Sequence, residues 1–435
     1  MIGRAATLAL AFLCLFAAAA HAGPTLARRS VIGAAFSDSA AGATVTFVQP
    51  GGAAASAGLA AGDTLTAIGR TPTKDSAAVV ATVRALPADA PVVFAILRGG
   101  KPLALSVTPR AAPKEQDQGV LTRYDIVAVD GSLRRTLITL PDGARGRLPA
   151  LLIIGGIGCF TVDNALDRED AYMRLAHDLA RRGIVTMRLE KSGVGDSRGP
   201  PCLTTDLNSE MRSYAAALDA LRRDQSVAPA HVYLFGHSIG TLIAPRLALS
   251  TPVAGVIAAD GVGRNWIEYE LANLRRQLEL EGKPADAVDK EMALKELCMH
   301  RLLVARESEA TIETTNPECR TYNSYPAPDA YMQQAAALDI AEPWTKLSAP
   351  VLAIYGTGDF VTAREDHERI VAIVNKAHPG DATLALVDGM DLHFDVAGTE
   401  QQAWELRVRK NQSGPYDEKL SDTVLAWLCK REPCR

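Results

Sequence analysis

The chain carries little that would hold a metal, a nucleic acid or a bilayer. Its seven cysteines include no C-x-x-C pair and nothing resembling a zinc knuckle. No group of His, Asp and Glu has ligand spacing, which counts against a metal-dependent hydrolase; no metal and no cofactor is expected. The formal net charge is only −4 over 435 residues, so there is no electrostatic reason to expect nucleic acid or an anionic membrane as partner. The N-terminal apolar run, Ala6 to Ala20, is shorter than the about 20 residues that a spanning helix needs, and no stable membrane anchor is expected.

That run fits a different purpose. Arg4 precedes it, and Ala20-His21-Ala22 follows it just before Gly23, the A-x-A layout of a secretory signal peptide. Residues 1–22 are therefore read as a signal peptide cleaved after Ala22, and the mature chain is expected in the periplasm or secreted. Cys14 follows Leu13 rather than a small residue, which argues against a lipoprotein anchor. Removing Cys14 leaves six cysteines, Cys159, Cys202, Cys298, Cys319, Cys429 and Cys434. An even number in an oxidising compartment points to disulfides.

Apolar residues make up 48% of the chain and charged ones 22%, as in soluble globular proteins long enough for two or three domains. The polar segment "AAPKEQDQG" after Arg110 reads as a linker, 111–120. Before it, residues 30–110 hold short strands and Gly-rich turns: "GATVTFV", the turn Gln49-Pro50-Gly51-Gly52, "GDTLTAIG", a helical stretch Ser76–Leu86, and a hairpin turning at Gly99-Gly100. With "SAGLAAGD" at its centre, this order resembles the PDZ domains of bacterial envelope proteins. The resemblance implies that Ile32-Gly33-Ala34-Ala35 forms a loop for a peptide's C-terminal carboxylate.

Residues 121–435 alternate strands and helices, the pattern of a doubly wound parallel sheet. "LPALLIIGG" is apolar throughout, as a strand buried on both faces must be. "HVYLFGHSIG" runs from strand character into the helical stretch Thr241–Leu249, so Ser238 occupies a strand-to-helix turn. Gly236 and Gly240 flank it where a Cβ would clash. Such a turn exposes the serine Oγ and aims helix N–H groups at negative charge developing there.

A serine hydroxyl needs a base. Seven histidines follow residue 22; His237 adjoins Ser238 but points elsewhere, and His177, His231, His300, His367 and His378 fall in helices, a strand or polar stretches. His393, in "LALVDGMDLHF", follows the last core strand and is the candidate. Asp359, in "AIYGTGDFVT", is the carboxylate expected to orient it, with Asp260 the runner-up. The amides of Ile239 and of Ile157, in Gly155-Gly156-Ile157-Gly158, are the expected oxyanion donors.

Together these residues resemble the α/β-hydrolase superfamily, whose chain order is Ser, Asp, His. Two departures stand out: Gly155 where many members have His, and Glu190-Lys191-Ser192-Gly193-Val194-Gly195-Asp196-Ser197 where many have Asp-x-Arg-Gly-x-Gly-x-Ser. Pro245 also falls early in the helix after the turn. The resemblance places a helical cap at about 266–343. It also implies a Cys159–Cys202 bridge between loops at one sheet edge and a Cys298–Cys319 staple in the cap; Cys429–Cys434 is paired by proximity. The expected activity is acyl transfer on a small-molecule ester or a peptide, with a serine peptidase or aminopeptidase as alternative. A PDZ-mediated binding protein on an inactive hydrolase scaffold is the reading from another class.

Overall fold

The structure, a computed structural model, describes residues 25–40 and 42–434; the expected signal peptide lies outside them. Among the described residues no helix is long and apolar enough to cross a membrane.

The N-terminal unit is a six-stranded sheet, β2 (Ala34–Ser39), β3 (Gly42–Val48), β4 (Thr64–Ile68), β6 (Val92–Arg98) and β7 (Lys101–Val107) in that order, with β5 (Thr71–Pro72) beside β4. The helix α1 (Ala53–Ser56) precedes β4, and α2 (Ser76–Ala85) starts where the Asp75 carboxylate accepts the Ala78 N–H at 2.7 Å. Ala43, Val45, Leu65, Ile68, Val79, Phe94 and Ile96 form its core. A separate two-stranded pair, β1 (Ser30–Val31) with β8 (Arg110–Ala111), ties its ends together.

The larger unit holds an eight-stranded sheet. Its strands are β9 (Val120–Val129), β10 (Ser132–Pro141), β11 (Leu148–Ile154), β12 (Val185–Leu189), β13 (Val227–His237), β14 (Gly255–Ala259), β15 (Val351–Gly356) and β16 (Ala382–Val387), in the order β16-β15-β14-β13-β11-β12-β10-β9. Strands β11 to β16 run parallel, and the hairpin β9–β10 closes one edge antiparallel. Side chains alternate between two cores. Ala150, Leu152 and Ile154 pack toward α4 (Leu207–Arg223), α5 (Gly240–Ser250) and α12 (Arg364–Ala377). Leu151 and Ile153 pack toward α3 (Ala171–Arg181) and α14 (Lys419–Leu428). This is the α/β-hydrolase fold.

Between β14 and β15 lies the helical insertion: α6 (Trp266–Glu281), α7 (Ala285–Met299), α8 (Glu309–Thr315), α9 (Arg320–Asn323), α10 (Asp329–Ala336) and α11 (Ala341–Lys346). Its Trp266, Tyr269, Met299, Leu302, Met332 and Trp344 continue the core above α4 and α5. The bridges Cys159–Cys202, Cys298–Cys319 and Cys429–Cys434 are all formed. A short α13 (Glu400–Trp404) precedes α14.

The two units are joined by buried charge. The Asp163 and Asp196 carboxylates, both without exposed surface, receive Arg28 and Arg29, and Arg135 also reaches Asp196 at 3.1 Å. Arg84, at the end of α2, donates to the Gly193 carbonyl at 2.7 Å and the Gly195 carbonyl at 2.6 Å. Segment 111–120 is anchored too: Glu115 takes two hydrogen bonds from the guanidinium of Arg188 on β12, at 2.9 and 2.6 Å, and a third from His177 at 3.2 Å. Arg188 is 0% exposed and Glu115 5%. Burial pushes the Glu115 carboxyl up, but Arg188 and His177 outweigh it and bring its pKa down from 4.5 to about 2.

A pair this deep is costly to break from one side, because the survivor is a buried unpaired charge. Glu115→Gln is expected to lower unfolding free energy by about 3–5 kcal/mol in urea titrations; a loss under about 1 kcal/mol would contradict it. Because the folded-state pKa is the lower one, this contribution is complete above pH 4.5 and fades as pH falls toward about 2. The variant should therefore lose less stability than the wild type over that interval.

Candidate active site

Four consecutive strands, β13, β14, β15 and β16, deliver Ser238, Asp260, Asp359 and His393 to one edge of the sheet. Ser238 stands between β13 and α5 with φ at 53°, a left-handed conformation that a non-glycine residue keeps only under constraint. The constraint is packing. A Cβ on Gly240 would fall 2.4 Å from the Ile154 carbonyl oxygen, and one on Gly236 2.5 Å from that of Gly240. Ser238 donates its N–H to Ala259 at 3.1 Å, and its carbonyl accepts from Thr241 at 2.9 Å. Its side chain is half-buried.

The loop Gly155-Gly156-Ile157-Gly158 lies directly against it, for a Cβ on Gly156 would come 3.4 Å from that of Ser238. The amides of Ile157 and Ile239 have no acceptor among the described residues. The loop is held at three points: Gly155 donates to the Tyr214 hydroxyl at 3.3 Å, Gly156 donates to the Tyr172 hydroxyl at 3.0 Å, and the Gly156 carbonyl accepts from Lys191 Nζ at 2.7 Å. Cys159, bridged to Cys202, braces its far end.

His237 is more than a neighbour of Ser238. Its Nδ1 lies 2.6 Å from the Tyr172 hydroxyl, and its Nε2 lies 2.8 Å from the Leu392 carbonyl. A carbonyl can only accept, so Nε2 carries the proton and Nδ1 accepts from Tyr172. Burial first, then His393, lowers the pKa of His237 from 6.5 to about 3, and the ring stays neutral. One chain of hydrogen bonds thus runs from the glycine loop through Tyr172 and His237 to the loop bearing His393.

His393 is exposed at its surface yet crowded enough that desolvation lowers its pKa below 6.5; Arg407 lowers it further and Asp391 opposes. Asp391 fixes the loop, accepting the amides of His393 at 2.9 Å and Asp395 at 3.1 Å and bonding Arg407. The His393 ring makes no hydrogen bond among the described residues, whereas His177, His231 and His367 are committed to Glu115 and Asp117, to Glu432, and to Ala363 and Gly261.

Asp359 is fully buried. One oxygen accepts the amides of Val361 at 2.7 Å and Thr362 at 3.0 Å, and the other accepts the Thr362 hydroxyl. No hydrogen bond joins it to His393. Burial raises its pKa from 3.8 to about 6 against those bonds. Asp260, also fully buried, accepts from the Gly356 amide at 2.8 Å and leaves Oδ2 unpartnered. Burial, and then the Asp359 charge, push its pKa well above 3.8. The strands bring all four residues to one edge, but no hydrogen bond joins Asp359 or Asp260 to His393 among the described residues.

Sequence reasoning passed over Tyr172, Lys191 and the role of His237. Tyr172 sits within an amphipathic helix, where an aromatic reads as core. Lys191 was part of a visible departure from the superfamily motif, and that departure was the available signal.

Residues 30–108 match the PDZ domain family, and residues 165–393 match the family described as serine aminopeptidase, S33. Esterase EstD of Thermotoga maritima is 22% identical over 293 residues, covering 67% of this chain and 65% of that protein. Among solved structures, Est1E of Butyrivibrio proteoclasticus with ferulic acid bound is 15% identical with a TM-score of 0.46, covering 71% of this chain and 98% of that one. The hypothetical protein PA2218 of Pseudomonas aeruginosa is 15% identical with a TM-score of 0.47, covering 73% and 99%. With more than half its length in that match, the chain belongs to the serine aminopeptidase S33 family and carries a PDZ domain ahead of its hydrolase domain.

Proposed function

We propose that the protein is an exported serine hydrolase that cleaves a carboxylic ester through an acyl-enzyme. The observation that carries this reading is Ser238 held at positive φ beneath a glycine loop, with the Ile157 and Ile239 amides free. Ser238 Oγ attacks the acyl carbonyl while His393 takes its proton. The carbonyl oxygen becomes an oxyanion between the two amides. Collapse expels the alcohol, which receives the proton from His393, and water then attacks the acyl-serine by the same steps. Asp359, which accepts from Val361 and Thr362, is the orienting carboxylate in this scheme. EstD, an esterase, favours the ester, while the S33 family description keeps an aminoacyl or peptidyl amide as the second substrate class. The three disulfides and the A-x-A leader support export.

The PDZ domain is proposed to receive a peptide. β2 is an edge strand, and between it and α2 opens a cavity of about 500 Å³ lined by Phe36, Val80 and Val83 and, from the hydrolase unit, Leu166 and Val194. The carbonyls of Ile32 and Gly33 are held inward by the amides of Ala54 and Gln49, each at 2.8 Å. Peptide planarity therefore turns the Gly33 and Ala34 amides the other way, where a terminal carboxylate would sit.

A fluorophosphonate probe should label the wild type and not Ser238→Ala, and p-nitrophenyl ester turnover should disappear with the label; labelling retained in the variant overturns the assignment. Asp359→Asn should lower kcat by about 1,000-fold or more, and Asp260→Asn far less; the reverse order would exchange their roles. Since attack needs neutral His393 and its pKa is depressed, the acidic limb of kcat/KM should have its midpoint below the ordinary imidazole value of about 6.5. A midpoint above that would remove His393 as the base. Val80, 49% exposed in the groove, offers the peptide test. Val80→Asp should weaken binding of hits from a C-terminal peptide library by at least about tenfold, as expected for a charge placed in an apolar pocket. Equal binding would exclude the groove.

A further inference from the structure

We infer that Lys191 is a positioning residue that sets the oxyanion hole by gripping the Gly156 carbonyl. The inference rests on the reading of Ser238 as nucleophile and goes beyond it.

Lys191 is the second residue after β12 and is 6% exposed. Its Nζ lies 2.7 Å from the Gly156 carbonyl oxygen, 3.1 Å from Glu210 Oε1 on α4, and 5.3 Å from the centre of the Phe160 ring. The Gly156 C=O and the Ile157 N–H belong to one planar trans peptide and point in opposite directions. With the carbonyl drawn inward to a buried ammonium, the amide is obliged to face outward, on the side where Ser238 is half open. Among the described residues no other hydrogen bond holds that plane. Three of the four residues from Gly155 to Gly158 are glycine, so rotation of the peptide meets little steric resistance. A flipped peptide would present the carbonyl dipole to the developing oxyanion and turn stabilisation into repulsion.

The cost of the arrangement supports a purpose. A buried lysine and its carboxylate could be replaced by apolar groups of equal volume without loss of stability. An apolar side chain could not hold a carbonyl. Lys191 touches neither Ser238 nor any reacting atom, so its action passes through the backbone.

The test compares the wild type with Lys191→Met, which keeps the length and removes the donor. On a p-nitrophenyl ester, kcat should fall about 10- to 100-fold with KM within about twofold, the signature of a donor lost only in the transition state. Inhibition by an alkylboronic acid, whose tetrahedral serine adduct places an oxygen in the hole, should weaken in parallel. A purely structural role would lower the melting temperature and leave kcat and boronate inhibition of the folded enzyme at wild-type values; that result overturns the inference. If Lys191→Met does not fold, Lys191→Gln, which ends short of Gly156, is read in the same way. Ser238→Ala separates the two levels. If it remains active, the nucleophile assignment fails. If it is inactive while Lys191→Met keeps wild-type kcat, only the role of Lys191 fails.

Discussion

Everything at the sheet edge depends on how closely the turn at Ser238 is pressed against the end of β11. The Gly240 backbone is seated so near the Ile154 carbonyl that a single methyl would have to occupy a 2.4 Å gap. That contact fixes the direction in which α5 leaves the sheet, and it forces Ser238 into a conformation that its own side chain disfavours. It also places the glycine loop, which continues from Ile154, over the serine. The proposed nucleophile and the proposed donors for its oxyanion are therefore positioned by one backbone packing event, before any side chain takes part.

Buried charge then decides what the loops around that contact can do. Within 190–197, Lys191 secures Gly156, Asp196 receives Arg28, Arg29 and Arg135, and the carbonyls of Gly193 and Gly195 accept from Arg84 on α2. Glu190, buried and raised to about 7 by that burial, bonds Thr161 and the Val162 amide. This one segment is thus fastened to the glycine loop on one side and to the wall of the PDZ groove on the other. The groove and the hydrolase loops share a cavity lining, with Cys159 and Thr161 facing Val83 and Arg84.

The parts governed by local pattern were legible in the sequence. The alternation that sends Leu151 one way and Leu152 the other and the glycines around Ser238 follow from backbone sterics and strand periodicity, whereas the proposed order Ser238, Asp359, His393 is what the resemblance to the α/β-hydrolase superfamily implies. The superfamily resemblance implied the Cys159–Cys202 and Cys298–Cys319 pairings and proximity implied Cys429–Cys434, and all three are formed. What escaped was non-local. Tyr172 meets Gly156 and His237 only because α3 crosses beneath the loop, and no spacing along the chain encodes that crossing. Segment 111–120 looked like a tether because it is polar, yet the same polarity gives Glu115 its bond to Arg188. Composition cannot distinguish a solvated carboxylate from a buried partner. That the Asp359 carboxylate bonds Val361 and Thr362 and makes no hydrogen bond to His393 was equally invisible.

In the functions proposed for them, the two domains face one chemical problem, the presentation of amides to a negative oxygen, and share the same peptide geometry with different anchors. In the PDZ loop the inward carbonyls of Ile32 and Gly33 are held by the backbone amides of Ala54 and Gln49. The restraint there is made by backbone groups alone. In the hydrolase loop the corresponding grip on Gly156 comes from a side chain, and a charged one. Its strength depends on Glu210 and on the exclusion of water from around Lys191. The proposed oxyanion hole would then rest on the 190–197 segment, which α2 of the PDZ domain grips through Arg84.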